Sequence, residues 1–383
     1  MKDTYYTPVL IPCEDYTPEH TEAAVLQALQ ALGGTDWIRP GMTIGIKLNL
    51  CAARKPETAT TTHPAMAAAL TRVLTSRGAR VILGDSPGEP YTLPIMNRVY
   101  NVSGMTICED EGGILNRDLS YEEATFPQGR SVQSFPVCSW LSQCDAVINF
   151  SKLKSHGLMG MTAAVKNLYG IIPGTYKSEY HYLHPDPMNF ANMLIDLNEY
   201  LKPVLCLVDA VDIMEGNGPT QGMPRHMGVL LAGRSPYELD RLGARLLGLE
   251  ESEIPYLLAA ESRGLFYSAV GDYDKLAQPY CLPDFIRSGA TSGWFAIGDS
   301  DSAVRKLIKR SMFMLLRSRP EPEESCTGCG HCARGCPAKA IRIENGKARI
   351  DRRKCVYCFC CQEFCPTGSM KAKRAFVAGL VMK

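Results

Sequence analysis

Cys326-Thr-Gly-Cys329-Gly-His-Cys332-Ala-Arg-Gly-Cys336-Pro337 and, 29 residues further on, Cys355-Val-Tyr-Cys358-Phe-Cys360-Cys361-Gln-Glu-Phe-Cys365-Pro366 share one pattern, C-x-x-C-x-x-C-x-x-x-C-P. Three thiolates at i, i+3 and i+6 lie on a tight loop that can wrap three corners of an iron–sulfur cube. The fourth thiolate has to come from elsewhere. Each proline after the fourth cysteine turns the chain away and bars a helix from running back through it.

Outward from this repeat, Ala340 to Asp351 alternates apolar and charged residues on both sides of Asn345-Gly346, a strong hairpin signal. Such a hairpin returns Cys336 towards the second loop. Residues 322–372 closely resemble the two-cluster bacterial ferredoxin module. In that pattern each repeat lends its last thiolate to the other repeat's cluster. One [4Fe–4S] cluster is therefore expected on Cys326, Cys329, Cys332 and Cys365, and a second on Cys355, Cys358, Cys361 and Cys336. Four-thiolate zinc sites use two C-x-x-C pairs separated by a spacer, a division these units do not offer. Cys360 is a ninth thiol outside the pattern. It reads as a bystander, with substitution for Cys361 as the alternative.

The whole chain has 383 residues, 41 Lys+Arg, 40 Asp+Glu and a net charge of +1. That length suits a large domain plus a small one. The charge balance excludes nucleic-acid binding driven by bulk positive charge. No apolar run approaches the ~18 residues of a membrane span, and Met1 to Tyr6 lacks the apolar stretch of a signal peptide. A cytoplasmic protein is expected. In that setting crowded thiols read as metal ligands. The expected division is an α/β ligand-binding domain over 1–300, a helix and linker over 301–321, and the two-cluster domain over 322–383. The helix is read over 303–316, and Pro320-Glu321-Pro322 reads as a stiff connector.

The first 300 residues alternate strand-like and helix-like segments, so the fold class is α/β with a mainly parallel sheet, followed by a small α+β ferredoxin-like domain. Thr43 to Leu50 alternates with period two, Thr61-Thr62-His63-Pro64 opens an alanine-rich helix, and Arg80 to Gly84 is the next strand. Ala146 to Phe150 and Val204 to Val208 read as buried parallel strands.

Ligands of such sheets bind beyond the strands' carboxyl ends, and here those ends are polar. Lys47 and Asn49, with Asn167, are candidate cofactor-binding residues. Lys152, Lys154, His156 and Lys166, with Asp85 and Asp209, are candidate catalytic residues. Asp212 and Glu215 are further acidic candidates. If Gly157 to Gly170 is helical, its N-terminus beside the lysines forms a site for a phosphate or carboxylate, with His156 as proton donor. No dinucleotide or P-loop motif occurs. Gly84-Asp85-Ser86-Pro87-Gly88 fits the G-x-S-x-G spacing, but its prolines oppose the helix a nucleophile elbow needs. His181 and His184 are spaced as a weak metal pair.

Lys47-Leu-Asn49-Leu50, Thr62-His63-Pro64, Gly84 to Gly88, Lys152 to His156 with Lys166-Asn167, and Asp212 through Pro219 together resemble domain-of-unknown-function family 362, iron–sulfur centre proteins. The resemblance runs along nearly the whole chain. It implies this α/β architecture with a two-cluster module at one end, and it assigns no catalytic residue. The expected function is electron transfer or an oxidoreductase reaction. A redox partner, a ferredoxin or reductase, loads the clusters, and the α/β domain holds the electron acceptor; an anionic small molecule is a further expected ligand. The alternative is a non-redox binding or maturation protein with structural or sensory clusters and an anionic-ligand site.

Overall fold

The computed structural model describes residues 5–267, 271–289 and 318–373. The main sheet is built from β1 (Val9–Pro12), β2 (Thr43–Lys47), β3 (Arg80–Gly84), β4 (Ile114–Leu115), β7 (Ala146–His156), β8 (Gly160–Thr162), β9 (Leu205–Glu215) and β10 (Met223–Gly233). β5 (Tyr121–Thr125) and β6 (Ser134–Cys138) form a separate antiparallel pair. The order across the sheet is β1-β10-β9-β7-β2-β3-β4, with β8 folded back on β7. β9, β7, β2, β3 and β4 run parallel, while β10 and β1 add an antiparallel edge.

Alternation along the strands divides the core between two faces. Val147 and Leu153 of β7, with Cys206 and Val208 of β9, join the layer under helices Pro187–Leu201, Pro236–Leu246 and Pro255–Ser262. Ile148, Phe150, Leu205 and Leu207 point the other way, against Pro18–Ala31, Pro64–Ser76 and Leu93–Ser103. With both faces covered, the amino-terminal halves of the central strands are largely apolar, as parallel sheets require. Helix Pro64–Ser76 starts where the sequence suggests: Pro64 sits in the first turn and the His63 side chain accepts from Ala65 N.

Two strands outrun their expected ends. β7 continues through Lys152 and Lys154 to His156, and β9 continues through Asp209 and Asp212 to Glu215. The charged residues expected in loops are therefore strand residues, and β7 is buried along its entire length. The helix expected across Gly157 to Gly170 is also corrected. The chain makes the β7–β8 hairpin, a four-residue helix Ala164–Asn167 and one 3-10 turn.

Beyond residue 318 the module contains β11 (Arg319–Pro322), β12 (Ile341–Glu344), β13 (Lys347–Ile350) and β14 (Met370–Lys373). The proline-rich stretch expected as a connector is strand β11, paired with β14. β12 and β13 form the expected hairpin, and Asn345 and Gly346 both take positive φ at its turn. The helix read over 303–316 lies outside the described residues. No helix among the described residues is long and apolar enough to cross a membrane.

Candidate functional site

The duplication in sequence is a duplication in shape. Gly328 and Gly330 take φ of 67° and 79°, and their counterparts in the second loop, Tyr357 and Phe359, take 58° and 62°. Each loop then enters a short helix, His331–Arg334 or Cys360–Glu363. Left-handed backbone at a non-glycine residue costs roughly 1 kcal/mol or more, so tertiary contacts hold the second loop in the form glycine permits in the first.

Two cavities lie between the loops. Cys326, Cys329, Cys332 and Cys365 line one, together with Pro322, Ile343 and Met370. Cys336, Cys355, Cys358 and Cys361 line the other, together with Ile341, Ile350 and Phe359. The first cavity therefore draws three thiols from one loop and a fourth from the other, and the second draws Cys336 from the first loop to meet the thiols of the second, Cys360 included. Among the described residues no three His, Cys, Asp or Glu side chains close on a single ion. Four thiols spread around an apolar void fit a cluster, whose own iron and sulfide fill the centre. Ala340 N donates to Cys336 Sγ at 3.3 Å, the kind of contact that tunes a cluster's potential. Cys360 is buried and also borders the second cavity.

The carboxyl ends of β2, β3, β7 and β9, where such a sheet forms its crevice, carry most of the α/β residues singled out above, and most of them are already engaged. Lys47 Nζ lies 2.7 Å from Asp85 Oδ1 and donates to Leu48 O and Asn167 O at 2.8 and 2.9 Å. Asp85 also accepts from Leu50 N and Ser86 N. A Cβ at Gly170 would stand 2.1 Å from Asp85 Oδ1 and 2.4 Å from Lys47 Nζ, so only glycine lets the 3-10 turn close over this pair. Asn167 Nδ2 donates to Lys47 O and to Asn149 Oδ1.

Lys152 Nζ lies 2.9 Å from Asp209 Oδ2 and donates to Tyr16 OH at 2.7 Å. Burial pulls its pKa down while Asp209 opposes the shift. Tyr16 OH donates to Asp209 Oδ1, and its ring stacks on His63 with centroids 3.5 Å apart. Lys154 Nζ donates to Asn49 Oδ1 and Thr60 O, both at 2.7 Å. Asp212 meets His226 at 2.9 Å and Glu215 meets Arg225 at 3.2 Å. Of the three lysines expected to share an anion, Lys152 and Lys154 are thus tied into the fold.

Lys166 differs. It is part-exposed and, among the described residues, has neither hydrogen bond nor ion pair, and its Nζ lies 5.6 Å from the Tyr169 ring centroid. Burial lowers its pKa, Glu363 opposes that shift, and Lys154 adds to it. The backbone donors at the start of its short helix are not a free anion site. Asp240 accepts from Ala164 N at 2.7 Å and Val165 N at 3.1 Å. His156 Nδ1 accepts from Leu158 N and Met159 N, which leaves the proton on Nε2. That nitrogen lies 3.6 Å from Glu363 Oε1. Burial, then Lys166, hold the imidazole well below its ordinary pKa.

His181 and His184 do not form a metal pair: His181 stacks on Phe190 and His184 on Tyr180. His181 Nδ1 is buried without a partner, and burial with Lys166 lowers its pKa to about 3. Ser86 Oγ accepts from Gly174 N at 2.6 Å and from Lys177 Nζ at 3.0 Å. Burial lowers Lys177 to about 8. A serine beside such a lysine resembles a nucleophile–base pair, but Ser86 is only 2% exposed.

The cysteine module sits directly on this crevice. Thr220 Oγ1 donates to Glu363 O at 3.2 Å and Gln221 Nε2 to Cys365 O at 2.7 Å. A Cβ at Gly88 would stand 2.9 Å from the Phe364 ring. Glu363 therefore belongs to both halves: it follows Cys361 in the chain and faces His156 and Lys166 in space. Sequence reading missed Glu363, Tyr16, Asp240 and Lys177. Tyr16 and Lys152 are 136 residues apart, and no local spacing signals such a contact.

Comparison with known proteins agrees with this two-part build. A thylakoid-associated protein of Synechocystis sp. is 30% identical over 265 residues, covering 67% of this chain and 79% of that protein. An uncharacterized ferredoxin of Methanocaldococcus jannaschii is 37% identical over 51 residues, 12% of this chain and 82% of the ferredoxin. The lactate racemase apoprotein from Thermoanaerobacterium thermosaccharolyticum aligns with a TM-score of 0.41 at 14% identity, over 63% of this chain and 57% of that one. Residues 321–366 match the 4Fe-4S dicluster domain, the stretch that carries both cysteine-lined cavities. Residues 44–245 match the domain of unknown function DUF362 and span the parallel strands and their crevice, so the chain belongs to the DUF362 family and carries a 4Fe-4S dicluster domain beyond it.

Proposed function

We propose that this protein is an intramolecular electron relay. Two [4Fe–4S] clusters, on Cys326/Cys329/Cys332/Cys365 and Cys355/Cys358/Cys361/Cys336, pass electrons between a redox partner protein and a small anionic acceptor held against Lys166. The observation that carries this reading is the seating of the second cysteine loop on the crevice, with Glu363 Oε1 3.6 Å from His156 Nε2. A cluster there lies next to the cation that lacks a protein partner. The bound clusters supply one-electron chemistry. The chain's own residues orient the acceptor through Lys166, and His156 Nε2 faces Glu363 Oε1 across 3.6 Å beside it. All sixteen cysteines are free thiols, which suits a reducing cytoplasm.

The test is reduction of the anaerobically purified protein with dithionite, followed by addition of candidate anionic acceptors. The relay requires reversible bleaching and recovery of the cluster absorbance, with recovery accelerated by an acceptor in the parent and slowed in Lys166→Met. Clusters that cannot be cycled would end this reading.

A further inference from the structure

The two cysteine repeats agree at every ligand and part company just outside them. At the 29-residue offset, Ser325, Thr367 and Ser369 of the first site correspond to Lys354, Ala338 and Ala340 of the second. Thr367 and Ser369 line the first cavity, and Ala338 and Ala340 line the second. The three hydroxyls stand in one chain. Ser325 Oγ lies 2.9 Å from Ser369 Oγ, Ser369 Oγ lies 2.8 Å from Thr367 Oγ1, and Thr367 Oγ1 lies 3.5 Å from Cys365 Sγ. The middle of the chain is fixed by the backbone: Ser369 is 2% exposed, directly precedes β14, and accepts from Glu323 N at 2.7 Å through its carbonyl. Ser325 precedes Cys326, and Thr367 follows Cys365 by two residues. The chain therefore joins the two segments that share the first cavity. At the second cavity the corresponding sulfur, Cys336 Sγ, accepts from Ala340 N at 3.3 Å, and the three equivalent side chains carry no hydroxyl.

Resting on the relay reading and its cluster on Cys326, Cys329, Cys332 and Cys365, we propose that Ser325, Ser369 and Thr367 form a hydroxyl chain polarised towards Cys365 Sγ that raises the reduction potential of the first cluster, a device the second repeat lacks. The direction of the chain follows from the ligand's chemistry. A cysteine that binds iron is a thiolate and has no proton to give, so the Thr367 hydroxyl donates to Cys365 Sγ. Each hydroxyl has one proton. Thr367 Oγ1 therefore accepts from Ser369, and Ser369 Oγ accepts from Ser325. A hydrogen bond to an ionised acceptor is stronger than one between neutral groups, and each donor in such a chain polarises the next. Reduction adds one electron to the cluster and so adds negative charge at its sulfurs. The donated bond stabilises the reduced form more than the oxidised one, and hydrogen bonding to the sulfurs is one of the determinants of cluster potential. Thr367 is itself exposed; the buried Ser369 behind it holds the hydroxyl on the sulfur.

The experiment is a potentiometric titration of the full-length, cluster-loaded protein, reduced with dithionite and followed by EPR. Cys329→Ser marks the first cluster's signal by altering it alone. Thr367→Val keeps the side chain's shape without the donor; it should lower the first midpoint and leave the second unmoved. Thr367→Ser restores the donor and should return the first midpoint to near the parent value. Ser369→Ala should move the first midpoint in the same direction by less, and it carries the prediction if the valine variant loads poorly. In protein exchanged into D2O, pulsed EPR should show a deuteron coupled to the first cluster that Thr367→Val loses, a loss that a purely structural role would not produce. A first midpoint that moves in neither Thr367→Val nor Ser369→Ala, or a shift shared equally by both clusters, overturns the proposal and leaves the relay standing. Clusters that do not reduce reversibly in the parent remove the relay, and this proposal with it.

Discussion

Removing the Asp209 carboxylate tests whether Lys152 is part of the framework or part of a ligand site. Asp209 is fully buried and pairs with Lys152, whose side chain is 1% exposed. It also accepts from Tyr16 OH and His63 N, both at 2.9 Å, and from Val211 N at 3.3 Å. Asp209→Ala leaves an uncompensated buried ammonium. Breaking a buried pair from one side costs about 3–5 kcal/mol. Against a typical domain stability of roughly 5–15 kcal/mol, that is about a fifth or more of the total. Removing both charges at once, in Asp209→Leu with Lys152→Met, should recover at least half of the loss, because well-packed apolar replacements of buried pairs are often neutral. The assay is urea unfolding followed by tryptophan fluorescence, with Trp140 as the buried reporter of the α/β domain. A loss below about 1 kcal/mol for Asp209→Ala, with no recovery in the double variant, would refute a structural role for the pair.

Three further outcomes follow from the same geometry. Burial raises Asp240 from 3.8 to about 7, while its backbone donors oppose the shift. The folded protein therefore binds this proton more tightly than the unfolded chain. Its contribution to stability is complete below about pH 4 and is lost as pH rises towards 7; Asp240→Asn should flatten that slope in unfolding curves measured across the window. Ser86→Ala strands Gly174 N and takes one acceptor from Lys177, whose Nζ keeps Ile172 O. It should cost about 1–3 kcal/mol in denaturant unfolding, while the parent forms no adduct with a serine-reactive fluorophosphonate by mass spectrometry; a stoichiometric adduct would reinstate Ser86 as a nucleophile. Gly88→Leu pushes a side chain into Phe364 and should speed amide hydrogen exchange across 360–368 with β2 and β3 unchanged. Unaltered exchange there would mean the module is not held by this contact.

The features legible in sequence were those written in short spacings. The 29-residue repeat carried the two loops, Asn345-Gly346 carried the hairpin, and His63-Pro64 carried the helix start. The ends of β7 and β9 were not legible. Lys152, Lys154 and Asp209 look like loop residues until their partners are known, and those partners, Tyr16, Asn49 and Thr60, lie about a hundred residues or more away. The helix expected after Gly157 failed for a related reason. Small residues there serve close packing, as Gly170 does over Lys47 and Asp85, and Asp240 supplies the helix cap from a distant element. Lys166 was one of several lysines in the sequence. Only the geometry separates it from Lys152 and Lys154 as the one without a partner among the described residues.

Ligand crossing between the two cysteine repeats is tested most directly by iron and sulfide analysis together with Mössbauer and EPR spectra of the anaerobic protein and its Cys336→Ser variant. Crossing requires about eight iron and eight sulfide per chain, two clusters at four of each. It also requires Cys336→Ser to perturb the signal that a Cys355→Ser variant perturbs and to leave unchanged the signal sensitive to Cys326→Ser. Zinc as the bound metal, or a Cys336→Ser change confined to the Cys326 signal, would contradict it.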